Sequence, residues 1–267
     1  MREPAATPTI RGKTERPLEG AFSLSETDAR AARETLERLL DDGSPTLPDG
    51  FLDRVERFVA LLLEANRRLN LTRITDPDEV ARLHLLDAIA GLPFVDEARP
   101  ERALDLGSGG GVPGIVLALA RPDVRWVLLD SVGKKIDALR SFADALELTN
   151  VGFAADRAEL AGRDPSHRER HDLVTARACA SLPVLAEYAL PLLRVGGRLL
   201  AWKGRLGADE LEAGARASDI LGGRPPTIRE TGLPVLGEHA LVVIEKVSPT
   251  ADRYPRRPGE PGRRPLA

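Results

Sequence analysis

Ala103-Leu104-Asp105-Leu106-Gly107-Ser108-Gly109-Gly110-Gly111-Val112-Pro113-Gly114 reads as a short apolar strand that runs into a glycine-rich turn and leaves it on a helix start. Glycine tolerates the positive φ of a tight turn and lets backbone approach a ligand closely, and the helix start presents free N–H groups. Outward from this turn, short apolar runs at 103–106, 126–129, 173–176 and 199–202 alternate with helical segments near 113–120, 134–148 and 182–193. Strands separated by helical crossovers predict an α/β fold, a doubly wound parallel sheet with helices on both faces. The last pair of runs breaks the pattern. Residues 227–235 and 239–247 are separated only by Leu236-Gly237-Glu238, too few for a crossover helix, so they are expected to pair as an antiparallel hairpin.

Upstream of the sheet the periodicity is helical. Ser25-Glu26-Thr27-Asp28 has the form of a capping box, and Ala29, Ala32, Leu36, Leu39 and Leu40 follow at helical spacing until Asp41-Asp42-Gly43. Leu52, Val55, Val59, Leu62, Leu63 and Leu69 line a second helix, and Asp76, followed by Pro77 and Glu79, caps a third that stops at Gly91. The expected organisation is a disordered leader over 1–21, a small helical unit over 22–98, the sheet domain over 99–248 and a basic tail over 249–267. That tail carries five arginines and five prolines with no apolar face, which predicts an extended segment.

Composition excludes more than it names. The 267 residues carry a net charge of −3, so an anionic partner must be held by a local basic surface rather than by the overall field. No apolar run reaches the roughly 18 residues of a membrane span, and residues 1–20 lack the apolar core of a secretory signal. Cys179 is the single cysteine, which excludes an intramolecular disulfide and a multi-cysteine zinc site. The expectation is a cytoplasmic monomer with no membrane partner and no metal.

The turn and its surroundings point to a cofactor. Asp130 ends the second run, 23 residues beyond Gly107, where a carboxylate accepts hydrogen bonds from both hydroxyls of a ribose. Gly109-x-Gly111-x-x-Gly114 formally satisfies a dinucleotide fingerprint, which keeps an NAD-dependent oxidoreductase as an alternative. Pro113 removes an N–H donor where a pyrophosphate would sit, and Asp105 would oppose a phosphate. The same acid suits a cofactor that carries an ammonium and a sulfonium.

Asp105-x-Gly107-x-Gly109-x-Gly111 resembles motif I of class I S-adenosylmethionine-dependent methyltransferases, whose Rossmann-like seven-stranded sheet ends in such a hairpin. Asn70-Leu71-Thr72, His84-Leu85-Leu86-Asp87, Leu128-Leu129-Asp130-Ser131, Arg177-Ala178, Leu182, Trp202-Lys203-Gly204 and Tyr254-Pro255-Arg256-Arg257-x-Gly259-x-Pro261 narrow the likeness. Over about residues 50–267 the chain resembles the bacterial 16S rRNA guanine-N7 methyltransferase family, RsmG or GidB. It departs from that family's usual pattern at Ala88, where serine is common, and at Gly110, where proline is common.

The resemblance implies methylation at N7 of a guanine in the helix 18 loop of 16S rRNA, with S-adenosyl-L-methionine as cofactor and 16S rRNA or the 30S subunit as partner. Gly107 and Val112 would line the cofactor, Ala158 and Glu159 would flank the adenine, and Arg177 would reach the site from the fourth strand. Asp105, Ser108, Gly109, Asp130 and Ser131 complete the cofactor set. Arg177, Lys203 and His84 are the catalytic candidates. His84 reads more readily as a hydrogen-bonded packing residue among Leu83, Leu85 and Leu86, and Lys203 as a solvated charge or an RNA contact.

The segment after the fourth strand, Thr175-Ala176-Arg177-Ala178-Cys179-Ala180-Ser181, lacks the Asn/Asp-Pro-Pro-aromatic loop that accompanies exocyclic-amine methylation. Cys179 lacks the Pro-Cys context of pyrimidine C5 enzymes and reads as a small buried core residue. Guanine N7 needs neither device. Arg253, Arg256, Arg257, Arg263 and Arg264 of the tail are the RNA-binding candidates, and deleting 253–267 is expected to weaken RNA binding without touching the cofactor. A non-catalytic RNA-binding or assembly factor with this fold is the remaining alternative.

Overall fold

The computed structural model describes residues 24–41 and 43–266; the leader expected over 1–21 lies outside them. Helix α1 (Leu24–Leu39) packs on α2 (Phe51–Leu69). Ser25 lies inside the first turn of α1 rather than capping it, and its hydroxyl reaches Glu64. Asp76 caps the next helix as expected, its carboxylate accepting the Glu79 N–H at 3.0 Å. That helix begins as α3 (Pro77–Glu79), widens into a π segment (Val80–Leu86) and returns to α geometry in α4 (Asp87–Ile89). It stops just before Gly91, a position that packing reserves for glycine, since a Cβ there would collide with the Trp202 ring. Helix α5 (Leu92–Ala98) leads into the sheet.

Seven strands follow: β1 (Arg102–Leu106), β2 (Arg125–Asp130), β3 (Val151–Ala155), β4 (His171–Arg177), β5 (Leu193–Lys203), β6 (Thr227–Glu230) and β7 (Ala240–Glu245). Their order is β3-β2-β1-β4-β5-β7-β6. Strands β1 to β5 are parallel, and β7 runs antiparallel to both β5 and β6. The crossovers are α6 (Gly114–Ala120), α7 (Gly133–Ala145), α8 (Ala158–Ala161), α9 (Leu182–Ala189) and α10 (Ala208–Ile220). Helix α9 ends earlier than its apolar run because Pro191, without an N–H, sits in a 3-10 turn. The doubly wound sheet and its hairpin agree with the sequence reading. The hairpin connection is longer than expected: residues 231–239 leave the strands, with Gly232 at positive φ and a 3-10 turn over Pro234–Leu236.

One core lies on each face. The first joins α1 to α5 with α6 and α7, where Phe58 of α2 meets Phe142 edge-on with centroids 6.2 Å apart. The second is built from β4, β5, α9 and α10 and includes Tyr254. No described helix is long and apolar enough to cross a membrane.

Residues 249–266 correct the expectation of an extended tail. They lie on the second face as a strap that ends in α11 (Glu260–Arg263). Tyr254, Pro255 and Pro261 are buried, and Arg168 donates to the Tyr254 and Thr250 carbonyls at 2.8 and 2.7 Å. Composition hid this because the anchors are scattered prolines, one tyrosine, one arginine and backbone carbonyls, which carry no apolar period.

Candidate active site

The carboxyl ends of β1 to β4 open on a cleft of about 340 Å³ whose walls include Gly107, Asp130, Ser131, Ala158, Glu159 and Arg177. A smaller cavity of about 160 Å³ adjoins it, walled by Gly107 to Gly110, Val112, Leu71, Thr72 and His84. Gly107, Arg177 and Ala178 line both. The site therefore has two chambers with one junction, and the N-terminal helices supply the far wall of the smaller one.

The turn is built from backbone. The N–H groups of Gly107 and Ser108 both donate to the Leu129 carbonyl, at 2.8 and 3.0 Å. Gly107, Gly109 and Gly111 all take positive φ (70, 53 and 94°), the region glycine enters without steric cost. Asp130 is held from both sides: Oδ2 accepts the Gly109 N–H at 3.0 Å and Oδ1 the Val132 N–H at 2.9 Å. A carboxylate has about four lone-pair positions, so each oxygen retains capacity on the cleft side. That donor-free capacity, together with a cradle of glycines, fits the ribose of an adenosine cofactor.

The side chains of three expected site residues turn away from the chambers. Asp105 lies on neither chamber wall; it is buried under the turn, where Oδ1 accepts the Thr175 hydroxyl at 2.7 Å and Oδ2 has no partner. Ser108 contributes backbone to the smaller chamber while its hydroxyl turns inward to the Asp105 carbonyl at 2.9 Å. Lys203 is also off both walls. Its ammonium is spent on the Ala180 carbonyl at 2.8 Å and on Glu210 at 2.9 Å.

Burial pushes the Asp105 carboxyl up to about 6 from 3.8. A raised folded-state value means that its stabilising contribution is complete below about pH 4 and is lost as pH rises through about 6. At about 1.4 kcal/mol per unit the swing is roughly 3 kcal/mol. Asp105→Asn is therefore expected to flatten the pH dependence of unfolding free energy between pH 4 and 6. Parallel wild-type and variant curves in that window would refute the assignment.

Arg177 and His84 are brought together by the π segment. In that register the Asp87 N–H reaches back five residues to the Arg82 carbonyl, and the Leu83 carbonyl accepts Arg177 Nη1 at 2.7 Å. Arg177 Nη2 lies 3.2 Å from His84 Nδ1, and His84 Nε2 lies 2.8 Å from the Thr72 hydroxyl. Burial, reinforced by Arg177, lowers the His84 pKa to about 4. The ring is neutral at pH 7, and the network assigns Nδ1 as acceptor and Nε2–H as donor. Both readings of His84 meet here, since a satisfied packing residue also lines the smaller chamber.

Glu159 lines the larger chamber next to Ala158, and the strap holds it there: the Gly259 N–H donates to Oε1 at 2.7 Å. Of the five tail arginines, Arg256 is engaged by Glu187 in a two-toothed ion pair. Arg253, Arg257, Arg263 and Arg264 are exposed.

A family model, "GidB: rRNA small subunit methyltransferase G", matches residues 52–234. The chain belongs to this family. It is 44% identical over 216 residues to "Ribosomal RNA small subunit methyltransferase G" of Deinococcus deserti, covering 80% of this chain and 88% of that one. The Deinococcus radiodurans protein of the same name is 44% identical over 238 residues, covering 88% and 93%. A solved structure described as a putative O-methyltransferase from Klebsiella pneumoniae aligns with a TM-score of 0.52 at 18% identity, over 85% of this chain and 100% of that one; it shows the fold alone. As a GidB-family protein the chain is an S-adenosylmethionine-dependent rRNA methyltransferase in the general sense. Among the described residues no cluster of His, Cys, Asp and Glu is arranged to hold a metal ion.

Sequence reasoning quoted Asp87 only within a motif, without a role, and missed Tyr188. Tyr188 of α9 lines the larger chamber, and Asp87 anchors Arg177 at 3.4 Å. A carboxylate set among the apolar residues of 80–92 was a signal for Asp87, because a buried acid requires a donor.

Proposed function

We propose that the chain transfers the methyl group of S-adenosyl-L-methionine to N7 of a guanine in the helix 18 loop of 16S rRNA, acting on the rRNA or the 30S subunit. The observation that supports this best is the chemistry of the junction. Cys179 is exposed on the wall of the larger chamber, but its Sγ donates to the Leu106 carbonyl at 2.8 Å, and desolvation of the sulfur together with the Asp105 charge pushes its pKa up. A hydrogen-bonded thiol with a raised pKa is a poor nucleophile at neutral pH, which disfavours an adduct at pyrimidine C5. Among the described residues no carboxylate lines the smaller chamber to take a proton from an amine. Guanine N7 presents an in-plane lone pair and requires neither.

When bound, the cofactor supplies an electrophilic methyl group on a sulfonium. The tasks left to the protein are alignment and exclusion of water. Asp130 orients the ribose, the positive-φ glycines allow close backbone approach, and Arg177, fixed by Leu83, His84 and Asp87, presents a rigid edge at the junction. An rRNA base has to leave its stack to reach such a pocket. Phosphate contacts are assigned to the exposed Arg253, Arg257, Arg263 and Arg264 of the strap and to Arg68 and Arg73 beside the Leu71–Thr72 wall.

The test is methyl transfer from labelled S-adenosylmethionine to 30S particles and to free 16S rRNA, followed by mapping of the modified base. Label at a guanine N7 is expected, and Cys179→Ser is expected to retain it. Label at a pyrimidine, or turnover abolished in a folded, cofactor-binding Cys179→Ser, would replace the guanine reading with cysteine chemistry.

A further inference from the structure

Asp87 is a buried carboxylate, its side chain 2% exposed, and it faces two ways. Oδ2 lies 3.4 Å from Arg177 Nη1, while Oδ1 lies 3.1 Å from His239 Nδ1. Its backbone carbonyl accepts Trp202 Nε1 at 2.7 Å. His239 comes from the β6–β7 connection, is 39% exposed at its side chain and lines neither chamber. The same connection is pinned to the π segment a second time, where Arg82 Nη1 donates to the Val235 carbonyl at 3.2 Å. A loop remote from the chemistry is thus coupled by one carboxylate to the arginine at the junction of both chambers.

We infer that His239 is a positioning residue for methyl transfer, acting through Asp87 to hold Arg177 in place. An arginine side chain has four flexible torsions, and its value at a site depends on the fixity of its planar head. The Leu83 carbonyl and His84 fix one edge of that head. Asp87 contributes the remaining contact only while Oδ2 faces Arg177. With Oδ1 lacking a donor in a buried setting, the carboxylate would be drawn to satisfy both oxygens on whatever donor it could reach. The His239 N–H removes that pull and selects the rotamer in which each oxygen has its own partner. Lys203 is no substitute donor, because it is occupied by Ala180 and Glu210. This role rests on the methyl-transfer reading of the site, so its test is arranged to separate the two.

Transfer to 30S particles is measured for wild type, His239→Ala, His239→Asn, Asp87→Asn and the His239→Ala/Asp87→Asn pair, with the nitrogen resonances of the Arg177 guanidinium followed in parallel. His239→Ala is expected to lower kcat by roughly three- to ten-fold with KM for the cofactor unchanged, a coupling of the size seen between contacting residues. His239→Asn, which keeps a side-chain N–H, is expected to recover most of that loss. In the Asp87→Asn background the alanine change is expected to add little, and the Arg177 resonance is expected to shift in His239→Ala. An unshifted Arg177 signal, an unchanged kcat in His239→Ala, or an equal fractional loss in the Asp87→Asn background overturns the inference. Wild-type protein that transfers no methyl group would instead overturn the proposed function, and the Arg177 resonance would still decide whether His239 acts on it.

Discussion

Arg256→Met is expected to lower the melting temperature by roughly 6 to 12 °C. Its partner Glu187 is fully buried on α9, and the two side chains meet through the Nε and Nη2 atoms of Arg256, at 2.9 and 2.5 Å. Removing one member of a buried pair leaves an uncompensated charge and costs about 3 to 5 kcal/mol; in a chain of this size each kcal/mol moves the midpoint by about 2 to 4 °C. The lower end of that cost sets the expected shift. Arg256 is only 19% exposed at its side chain, so solvent screening does not erase the effect. The consequence reaches the cofactor chamber, because the same strap delivers the Gly259 N–H to Glu159. The variant should therefore also bind S-adenosylmethionine more weakly, contrary to the expectation that the tail is independent of the cofactor. Thermal melts and cofactor titration of Arg256→Met check both parts. A midpoint within about 2 °C of wild type would show that Glu187 is satisfied in another way, and an unchanged cofactor affinity in a destabilised variant would separate the strap from the chamber.

The contrast between that strap and the sheet explains what could be read from the chain. The parallel strands were legible because burial on both faces writes them as short apolar runs, and the glycine turn because positive φ at Gly107, Gly109 and Gly111 admits few other residues. The π segment was not legible: Val-Ala-Arg-Leu-His-Leu-Leu is compatible with either helical period over seven residues, and only the tertiary placement of Arg177 gives the wider register a use. The strap was misread through its composition, although the sequence held a signal. Glu187 interrupts the wholly apolar face of Leu-Pro-Val-Leu-Ala-Glu-Tyr-Ala, and an acid in that setting implies a cation brought from elsewhere. Lys246 is the mirror case, a fully buried ammonium shared by Glu169, Thr250 and the Leu190 carbonyl. Asp105 and Lys203 were placed correctly on their strands, yet strand position does not fix which side of the turn a side chain takes. Thr175 claims the first and Glu210 the second.

Gly107→Ala is expected to weaken S-adenosylmethionine binding by about ten-fold or more, and the cause can be separated from a general loss of fold. Two terms act at this position. The backbone sits at a φ of 70°, where a residue with a Cβ pays about 1 kcal/mol or somewhat more. The added Cβ would also stand 2.7 Å from Cys179 Sγ and 3.7 Å from Cys179 Cβ, so only the sulfur obstructs it. Cys179 is itself tied to the Leu106 carbonyl, and displacing it moves the Ala178–Cys179 wall that both Gly107 and Arg177 share. Cys179→Ala removes the sulfur and leaves an ordinary contact. If the wall is what fails, the Gly107→Ala/Cys179→Ala pair should regain most of the lost affinity and retain only the backbone cost, a residual of about five-fold for 1 kcal/mol. If instead the pair binds no better than Gly107→Ala alone, the requirement for glycine comes from the ligand side of the turn: the cofactor must pass where any Cβ-bearing backbone cannot yield. Isothermal titration of the four proteins, with melts to confirm that each is folded, distinguishes the two outcomes and fixes whether the β1 turn is shaped by Cys179, just past β4, or by the molecule it holds.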